Sequence, residues 1–313
     1  MEQIIEPVDK VLLENELTDD KFIRETNNGG NVLYTFTAHD SPNLMREIAR
    51  LRELSFRAAG GGTGKSMDID KYDTSENPYK QLIVWDPKDR EILGGYRYHT
   101  VDSSNGNEMN LSTTSLFNFS EKFTAEYVPH LIELGRSFVQ PRYQSSKRRE
   151  KGLYALDNLW DGLGALVVSN PGVKYFFGKV TMYRNANRKG RDMLLYFMEK
   201  FFSDHDKLVT PKIPVPVEIN RDEMAAIFCG KDYKEGYKIL SKEIRALGEN
   251  IPPLINSYMN ISPSMKMFGT VMNPYFGDVE ETGIMITISD IYQNKMERHI
   301  LSFIKRKFPI LKR

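Results

Sequence analysis

The sequence lacks the features that mark secreted, disulfide-bonded or membrane-spanning proteins. Its 313 residues include one cysteine, Cys229, so an intramolecular disulfide is excluded. No uncharged apolar run approaches the roughly 20 residues that a membrane-spanning helix needs. The N-terminal segment has neither the basic start nor the apolar core of a signal peptide. We therefore expect a cytoplasmic protein.

A dominant charge of one sign is also missing. The 43 basic and 42 acidic side chains nearly cancel, so no global field indicates nucleic acid as the partner. The five histidines show no metal-ligand spacing such as His-x-x-x-His, and neither a metal site nor a bound cofactor is predicted. Cys229, beside Gly230 in a segment without a partnering His, is expected to be a buried small residue rather than a nucleophile.

The apolar residues, 40% of the chain, are numerous enough for a sizeable core and follow an α/β pattern. A strand at Leu131 to Val139, an amphipathic helix around Trp160 and a strand at Lys174 to Val180 predict a β-α-β unit. Other strands are predicted at Asn31 to Ala38, Gln81 to Asp86, Ile92 to Val101, Met265 to Met272 and Gly283 to Ser289, and other helices from Pro42 to the glycines at 60 to 62 and around Arg191 to Phe202.

This pattern divides the chain into one main domain with two terminal segments. Residues 1–30 are polar and predict an N-terminal extension. The main domain spans residues 31–289, with an insertion near 204–250 that contains several prolines. Residues 290–313 predict a basic amphipathic C-terminal helix, since Lys and Arg alternate there with large apolar side chains. Such a helix would either lie on an anionic membrane surface or dock against the domain.

The segment from Ala59 to Ser66 fits a relaxed phosphate-loop pattern, with Ala in place of the first Gly. A phosphate loop needs a buried strand before it and a helix after it, because backbone amides at the helix N-terminus hold the phosphates. Here a helix is predicted before the loop, and an acidic stretch that would repel phosphate follows it. These flanks favour a flexible glycine loop over a nucleotide site.

Four short blocks of polar residues carry the clearest functional signal. The blocks are Arg52-x-x-x-Phe56, Asp70-x-x-Asp73, Gly94-Gly95-Tyr96-Arg97 and Glu133-Leu-Gly-Arg136-Ser137. In order and approximate spacing they resemble the acyl-carrier-protein-dependent branch of the GNAT acyltransferase superfamily, which includes ornithine and glycine N-acyltransferases, some of them labelled haemolysins, and acyl-homoserine-lactone synthases.

The resemblance covers most of the chain. It extends to Trp160-Asp-Gly-Leu, to Ile251 through Tyr258, and to Asn273 through Gly277. The late segment departs from the ornithine-type enzymes, since Ile261-Ser262 replaces a Gly-Ala pair and Asn273 replaces an Asp, which puts an ornithine substrate in doubt.

The resemblance implies an α/β fold with a GNAT-like mixed, mostly antiparallel sheet flanked by helices, and a C-terminal elaboration. It implies an N-acyltransferase that moves a long-chain, 3-hydroxylated or plain, fatty acyl group from an acyl carrier protein thioester to the amine of a small amino acid. Acyl-phosphopantetheine, on the carrier protein or on CoA, would be the cosubstrate. Acyl-homoserine-lactone synthesis and a non-catalytic, membrane-active or binding protein stay open as alternatives.

Glu133 and Arg136 are the predicted catalytic residues. A thioester is already activated, so the enzyme must chiefly hold an amine near the carbonyl, remove a proton and stabilise the developing oxyanion. Strict alternation would place the two side chains on opposite faces of the strand, but a bulge at Gly135 would bring both to one face. Glu133 is then the candidate base or amine anchor, with Arg136 orienting it. A Glu-Arg pair that only stiffens the strand is the alternative.

The acceptor would be held by charged residues of the earlier blocks. Asp70 and Asp73 would bind the ammonium and Arg97 the carboxylate of an amino acid. Arg52 and Phe56, four residues apart on one helix face, would cover the site. A solvated acidic loop and a simple packing pair are the alternatives.

The donor would bind where the Glu-Arg strand leads into the next helix. Arg149-Glu-Lys-Gly152-Leu-Tyr-Ala155 approximates the GNAT phosphate-binding turn, with its last small residue displaced by one. Arg142, Arg149, Lys151 and Gly152 are therefore assigned to the acyl-pantetheine and its carrier. The cations Lys147, Arg148, Arg149 and Lys151, with Arg184, Arg188, Lys189 and Arg191 as a second cluster, would suit the acidic face of acyl carrier protein, or be solvated charge.

Overall fold

The computed structural model describes residues 1–101, 109–144, 149–230 and 232–307, and only the backbone of residues 149, 150 and 153. An eight-stranded sheet crosses the molecule in the order β1-β2-β3-β4-β6-β7-β10-β9, and β5 and β8 form a separate pair. The strands are β1 (Phe22–Glu25), β2 (Val32–Phe36), β3 (Lys80–Asp86), β4 (Glu91–Thr100), β5 (Phe117–Phe119), β6 (Leu131–Val139), β7 (Tyr175–Met182), β8 (Val209–Pro211), β9 (Lys266–Asn273) and β10 (Val279–Thr287).

Helices cover both faces of this sheet. They are α1 (Lys10–Glu16), α2 (Pro42–Ala59), α3 (Lys71–Thr74), α4 (Pro141–Gln144), α5 (Arg149–Ser169), α6 (Arg188–Phe202), α7 (Arg221–Ile227), α8 (Tyr233–Ala246), α9 (Pro253–Met259), α10 (Gln293–Met296) and α11 (Ser302–Lys307), with a π-helical turn at Glu297–Leu301 between the last two. The predicted fold class is confirmed: the sheet is mixed, mostly antiparallel and flanked by helices.

The helix α2 shows how local sequence sets an element on the site side of the sheet. Pro42 occupies its first turn, where a missing N–H costs nothing, and Gly60 ends it in the left-handed conformation with φ 98°. Leu44, Ile48 and Leu51 repeat at helical spacing and are buried in one apolar cluster. The packed face of α2 also carries Arg52 towards the sheet, where it is fully buried.

The strands β6 and β7 are the one parallel pair among the ladders of the described chain. Their pairing runs from Leu131 opposite Tyr175 to Leu134 opposite Gly178, although both strands continue for four more residues or longer. The helix α5 connects them, as the predicted β-α-β unit requires. Because the pairing stops midway, the two strands diverge and leave a wedge in the sheet.

A bulge in β6 lies next to this wedge. Residues Arg136 and Ser137 stand opposite the single residue Tyr96 of β4, where the register shifts. Arg136 adopts the left-handed conformation with φ 50°, and Gly135 does not. The predicted bulge is therefore present, but one residue later than the prediction placed it.

The termini differ from the simple segments that the sequence suggested. Within residues 1–30, α1 packs beside α2 and β1 pairs with β2 at the sheet edge. At the other end, Ile300 and Phe303 are buried, and His299 Nδ1 lies 2.7 Å from Asp161 Oδ1 on α5. This contact docks the described part of the C-terminal segment against the domain. No helix in the described ranges is long and apolar enough to cross a membrane.

The insertion contains structure that the sequence did not predict. Residues 204–250 include β8, α7 and α8, and the apolar face of α8 packs through Leu240 and Ile244 into the main core. Cys229 lies at the end of α7 and is exposed, so the prediction that it is buried was wrong. The small helix α7 buries Met224 and Phe228 instead, which turns the neighbouring Cys229 outwards.

Candidate functional site

A cavity of about 570 Å³ occupies the wedge between β6 and β7. Residues of both diverging strands line it, from Leu134 to Val139 on β6 and from Phe176 to Thr181 on β7. The cavity reaches both faces of the sheet, because it passes through the gap where the strands no longer pair. Its charged side chains lie on one face of the sheet, the polar half of the cavity, and the larger remainder of its lining is apolar, which suits a substrate with a charged end and a hydrocarbon end.

The polar half is backed by a network of three guanidinium groups and three carboxylates. Arg97 Nη1 on β4 lies 2.7 Å from Asp70 and 3.1 Å from Asp73. Arg136 joins the same network from β6, with Nε 2.7 Å from Asp68 Oδ2. Charges of both signs therefore balance within the network. Its members are Arg52, Arg97, Arg136, Asp68, Asp70 and Asp73.

The network fixes the predicted acceptor residues to one another. Arg52 donates to both oxygens of Asp73 at 3.1 Å, and Gln81 Nε2 donates to Asp73 at 3.0 Å. Burial disfavours the charged form of Asp73, but the attraction of Arg52 and Arg97 outweighs burial and holds the pKa of Asp73 below its usual value. Asp73 is thus an ionised carboxylate whose partners are protein groups. Of these residues, Arg97, Arg136 and the neighbouring Phe56 line the cavity.

Glu133 lies at the centre of a second hydrogen-bonded group. Its carboxylate accepts from the Tyr79 hydroxyl, from Ser112 N at 2.9 Å and from Thr113 N at 2.9 Å. The side chain is fully buried, and the cavity wall at this point is formed by Ser112. Burial, reinforced by the Glu133 carboxylate, raises the pKa of Tyr79 far above its usual value, so this hydroxyl keeps its proton.

Glu133 and Arg136 lie on the same face of β6. Tyr79 binds Glu133, and the guanidinium of Arg97 stands 5.2 Å from the centre of the Tyr79 ring. Arg97 and Arg136 both bind Asp70, which joins the two charged groups on that side of the sheet. The bulge at Arg136 causes this, since strict alternation would have sent its side chain to the other face.

A further charged pair, which the sequence analysis did not single out, lies on the opposite wall of the wedge. Lys179 of β7 forms an ion pair with Glu281 of β10, and both line the cavity. Asn273 Nδ2 also donates to Glu281, at 3.1 Å. The two residues lie about a hundred positions apart, so the sequence alone carried no signal for the pair.

The apolar half of the cavity lies on the other face of the sheet. Its walls come from the middle of α5, from α9 and from alternate residues of β10. The side chains that face it include Leu156, Leu254, Ile255, Tyr258, Ile284 and Ile286. Such a lining excludes water and favours a hydrocarbon chain.

The matches to known proteins agree with this geometry. Residues 51–152 match the model of the GNAT acetyltransferase domain. Two glycine N(alpha)-acyltransferases match almost the whole chain: that of Phocaeicola vulgatus is 57% identical over 98% of this chain and 95% of its own length. That of Bacteroides thetaiotaomicron is 58% identical over 97% and 91%. The chain belongs to the family of these N-acyltransferases.

The protein is therefore a GNAT-type acyltransferase, and an acyl thioester is its cosubstrate. Among solved structures, a CoA-dependent acyl-homoserine lactone synthase is 15% identical and covers 67% of this chain and 99% of its own, with a TM-score of 0.30. In the GNAT family match, residues 51–152 span Arg52 of α2 through the start of α5, and so include both the Arg-Asp network and the strand β6.

Two of the residues predicted to bind the donor form ion pairs with acidic residues in and beside the turn between β3 and β4. Lys151 Nζ lies 2.6 Å from both Asp86 and Asp89, and Arg142 Nη1 lies 2.8 Å from Glu91. Gly152 lines the cavity near the start of α5, where an added Cβ would stand 2.1 Å from the Tyr143 carbonyl oxygen. Lys147, Arg148 and the side chain of Arg149 lie outside the described part of the chain.

The second basic cluster is also paired within the chain. Its members lie just after β7 and in the first turn of α6, and each has an acidic partner from a neighbouring loop, strand or helix. The pairs are Arg184–Asp278, Arg188–Glu218, Lys189–Glu223 and Arg191–Glu280.

The glycine loop after α2 holds a carboxylate of the protein itself. Glu53 accepts from Thr63 N and Gly64 N at 2.9 Å each, the two backbone amides that a phosphate would need. Gly61 also packs against the backbone of Phe276, whose ring lines the cavity. The loop therefore packs behind the wall of the cavity, and its amides hold Glu53 in the place where a phosphate would bind.

Proposed function

We propose that this acyltransferase moves a long-chain fatty acyl group from an acyl carrier protein thioester to the amine of glycine. The observation that carries the proposal is the wedge cavity, which joins an apolar half to a half lined by charged groups through the gap between β6 and β7. The names of the two relatives at 57% and 58% identity support glycine as the acceptor. The apolar side chains that line the other half support a hydrocarbon donor.

The reaction needs one amine proton to leave before attack and one after it. The neutral amine attacks the thioester carbonyl, a C–N bond forms, and the C–S bond breaks. The second amine proton goes to the departing thiolate, which leaves as the pantetheine thiol. The products are an N-acylglycine and the free carrier thiol, and one proton is released to the medium. The unpaired backbone of the diverging strands lies where a thioester carbonyl would need hydrogen-bond donors.

Arg136 is proposed to face the reacting groups directly. It lines the cavity, lies 4.4 Å from the Phe276 ring centre, and is held by Asp68 and Asp70. A guanidinium fixed in this way is oriented before the substrate arrives, which lowers the cost of organising the site. Arg52, Asp73 and Arg97 are proposed to hold that orientation, and Phe56 to close the wall beside it.

Glu133 is proposed to act on the Ser112 wall of the cavity. Its carboxylate holds Ser112 N and Thr113 N, so it positions the segment that meets the substrate. The predicted role as general base requires the carboxylate to exchange one of these donors for the amine. A Glu133→Gln variant with a kcat lowered by about 10² or more and a lost acidic limb in the pH–rate profile supports the base role. A low kcat with an unchanged pH–rate profile would instead support a role only in positioning Ser112 and Thr113.

The carrier protein is proposed to dock at the mouth beside α4 and α5. Arg142 is half exposed there, next to Gly152 and Tyr143 of the cavity lining. Acidic residues of a carrier would compete with Glu91, Asp86 and Asp89 for the cations at this edge. We expect kcat/KM to be at least about tenfold higher with acyl carrier protein than with acyl-CoA of the same chain.

Purified protein, acyl carrier protein loaded with chains of different length, and a panel of amino acids test this function. Mass spectrometry should detect an N-acyl amino acid, with glycine giving the highest kcat/KM. A panel that yields no N-acyl product from either thioester would contradict the proposal.

A further inference from the structure

Lys179 and Glu281 are charged residues in a place where the fold alone needs none. Lys179 is the first residue of β7 beyond the last pair with β6, so its side chain leaves the sheet where the wedge opens. Glu281 reaches the same point from the adjacent strand β10. Both line the cavity, Lys179 between Gly178 and Val180 on β7 and Glu281 between Glu280 and Thr282 on β10.

The pair is costly as a purely structural device. The Lys179 side chain is 12% exposed and that of Glu281 is 2% exposed, so both ions have lost most of their water. Burying an ion pair in this way stabilises a fold little or not at all compared with apolar residues of similar volume. A role towards a ligand explains why two charges are kept on this wall.

A second cation, Arg136, stands across the wedge from Lys179. Burial lowers the pKa of Lys179, the Glu281 carboxylate opposes that shift, and the nearby Arg136 guanidinium adds to it. Arg136 belongs to the balanced network on β6, whereas Glu281 is the ion-pair partner of Lys179 in the described structure. An anion placed between Lys179 and Arg136 would relieve the repulsion between two cations.

Glu281 is positioned to accept a further donor from the cavity. The hydrogen bonds from Lys179 and from Asn273 both end on Oε2. Within the described residues, Oε1 is thus the oxygen of Glu281 that can meet a ligand. A carboxylate oxygen beside a cationic pocket provides the two complementary ends that a zwitterion requires.

We propose that Lys179 and Glu281 recognise the acceptor as a small α-amino acid zwitterion, Lys179 together with Arg136 binding its carboxylate and Glu281 binding its amine. This inference rests on the proposed function. It replaces the predicted amine pocket at Asp70 and Asp73, because those carboxylates are already bound by Arg52, Arg97 and Arg136. It also places the amine at the level where β6 and β7 part, beside the expected position of the thioester.

The exchange of partners keeps every charge compensated. In the free enzyme Lys179 and Glu281 neutralise one another, and in the complex each faces the opposite end of the amino acid. An amine without a carboxylate satisfies Glu281 and leaves Lys179 with no new partner, so it should be a poor acceptor.

Steady-state kinetics with variants of each residue test the assignment. Lys179→Met should raise the KM for glycine about tenfold or more, as expected for the loss of a charge-assisted hydrogen bond, with the KM for the acyl donor changed less than about twofold. It should also remove the preference for glycine over glycinamide. Lys122→Met is the matched control, because Lys122 forms an exposed ion pair with Asp206 far from the cavity.

Product binding separates recognition from a structural role. N-dodecanoylglycine has the carboxylate and no ammonium, so Lys179→Met should weaken its binding about tenfold, whereas Glu281→Gln should change it less than about threefold. If the ion pair only joins β7 to β10, Lys179→Met and Glu281→Gln should change the affinity for the product to the same extent. Calorimetric titration measures this without turnover. If Lys179→Met does not fold, the neutral double variant Lys179→Gln/Glu281→Gln takes its place with the same expected losses.

The outcomes separate the two claims. Wild-type protein that forms N-acylglycine, with a Lys179→Met variant whose glycine KM and product affinity are unchanged, would overturn this inference and leave the proposed function standing. Wild-type protein that forms no N-acyl amino acid would overturn the proposed function. A selective loss of carboxylate recognition in Lys179→Met would support both.

Discussion

The Tyr79 hydroxyl donates a buried hydrogen bond to the Glu133 carboxylate, which joins the residue before β3 to β6 on the charged face of the sheet. The oxygen of the same hydroxyl accepts a hydrogen bond from Ser112 N at 2.9 Å. Tyr79 therefore links Glu133 of β6 to Ser112, which lines the cavity. Neither Tyr79 nor Glu133 touches the cavity itself, so the contact acts by fixing Ser112.

Replacing Tyr79 with Phe should weaken both the fold and the reaction. The substitution removes one donor to a buried carboxylate, a loss of about 1.5–3 kcal/mol in the free energy of unfolding. We expect kcat to fall while the KM for the acyl donor stays close to that of the wild type, because the donor half of the cavity is on the other face. Urea unfolding and steady-state kinetics measure the two effects.

Tyr275→Phe is the control for that experiment, since the Tyr275 side chain is 86% exposed. It should leave the free energy of unfolding within about 0.5 kcal/mol of the wild type. A Tyr79→Phe protein as stable and as active as this control would show that the hydroxyl does not hold Glu133 or Ser112 in place.

Acid should destabilise the protein through the Arg-Asp network. The pKa of Asp73 is lowered in the fold, so ionised Asp73 stabilises the native state above the unfolded pKa of about 3.9, and this contribution is lost as the pH falls below it. The free energy of unfolding of the wild type should therefore decline as the pH drops below about 4. The pKa of Asp68 is also lowered in the fold, so Asp68 adds to the same loss of stability in acid.

Asp73→Asn should lose part of that pH dependence. Breaking a buried ion pair costs about 3–5 kcal/mol, so the variant should be less stable than the wild type at pH 7. The difference between the two proteins should shrink as the pH falls below about 4, because the unfolded wild-type chain then binds a proton at Asp73 that the folded protein excludes. Denaturant titrations from pH 7 to pH 3 test this, and a constant difference over that range would contradict it.

Much of the fold could be predicted because the apolar periodicity of its main elements is strong. The strand β6 was predicted with its observed bounds, and α2 between Pro42 and its terminal glycines. The edge strand β1 was missed, since its four residues pair with one neighbour and carry too few apolar positions to show a period. Tertiary pairing, rather than local sequence, forms it.

Gly152 should be intolerant of any side chain. An added Cβ would meet the Tyr143 carbonyl oxygen at 2.1 Å, a clash that either α4 or α5 must move to relieve. We expect Gly152→Ala to lower the free energy of unfolding by about 1–3 kcal/mol and to raise the KM for the acyl donor, because this junction lines the cavity.

Gly172→Ala is the matched control, since an added Cβ there meets no atom within 4 Å. This control should keep the wild-type melting temperature and donor KM. If Gly152→Ala behaves in the same way, the close approach of α4 to α5 is not needed for stability or for binding of the donor.

The apolar half of the cavity should set the length of the acyl chain. Ile255 of α9 is buried and lines that half, so Ile255→Phe should shorten the space for the hydrocarbon. We expect the preferred acyl chain to become shorter by about two carbons, each worth about 0.8 kcal/mol when buried. Competition between acyl carrier proteins with different chains measures the shift.

Ile213→Phe provides the comparison for this series, because Ile213 is 73% exposed. It should keep the wild-type chain-length profile. An unchanged profile in Ile255→Phe, with the fold intact, would show that the acyl chain lies elsewhere.

The candidate site was predictable only where charged residues form short motifs. Arg136 and Glu133 stood out because they interrupt one strand at close spacing, and their shared face followed from a bulge. Lys179 and Glu281 are about a hundred residues apart in the chain, and they become neighbours only through the pairing of β7 with β10. No local sequence pattern predicts a contact that forms only through the topology of the sheet.

The most direct test of the account is the reaction itself, followed with isotopically labelled glycine. Acyl carrier protein carrying a long acyl chain, [¹⁵N]glycine and the purified protein should yield labelled N-acylglycine and one equivalent of free carrier thiol. The same mixture with Lys179→Met should yield much less product at low glycine and recover at high glycine. Thiol release without a labelled N-acyl product in the wild-type reaction would contradict acyl transfer to the amine.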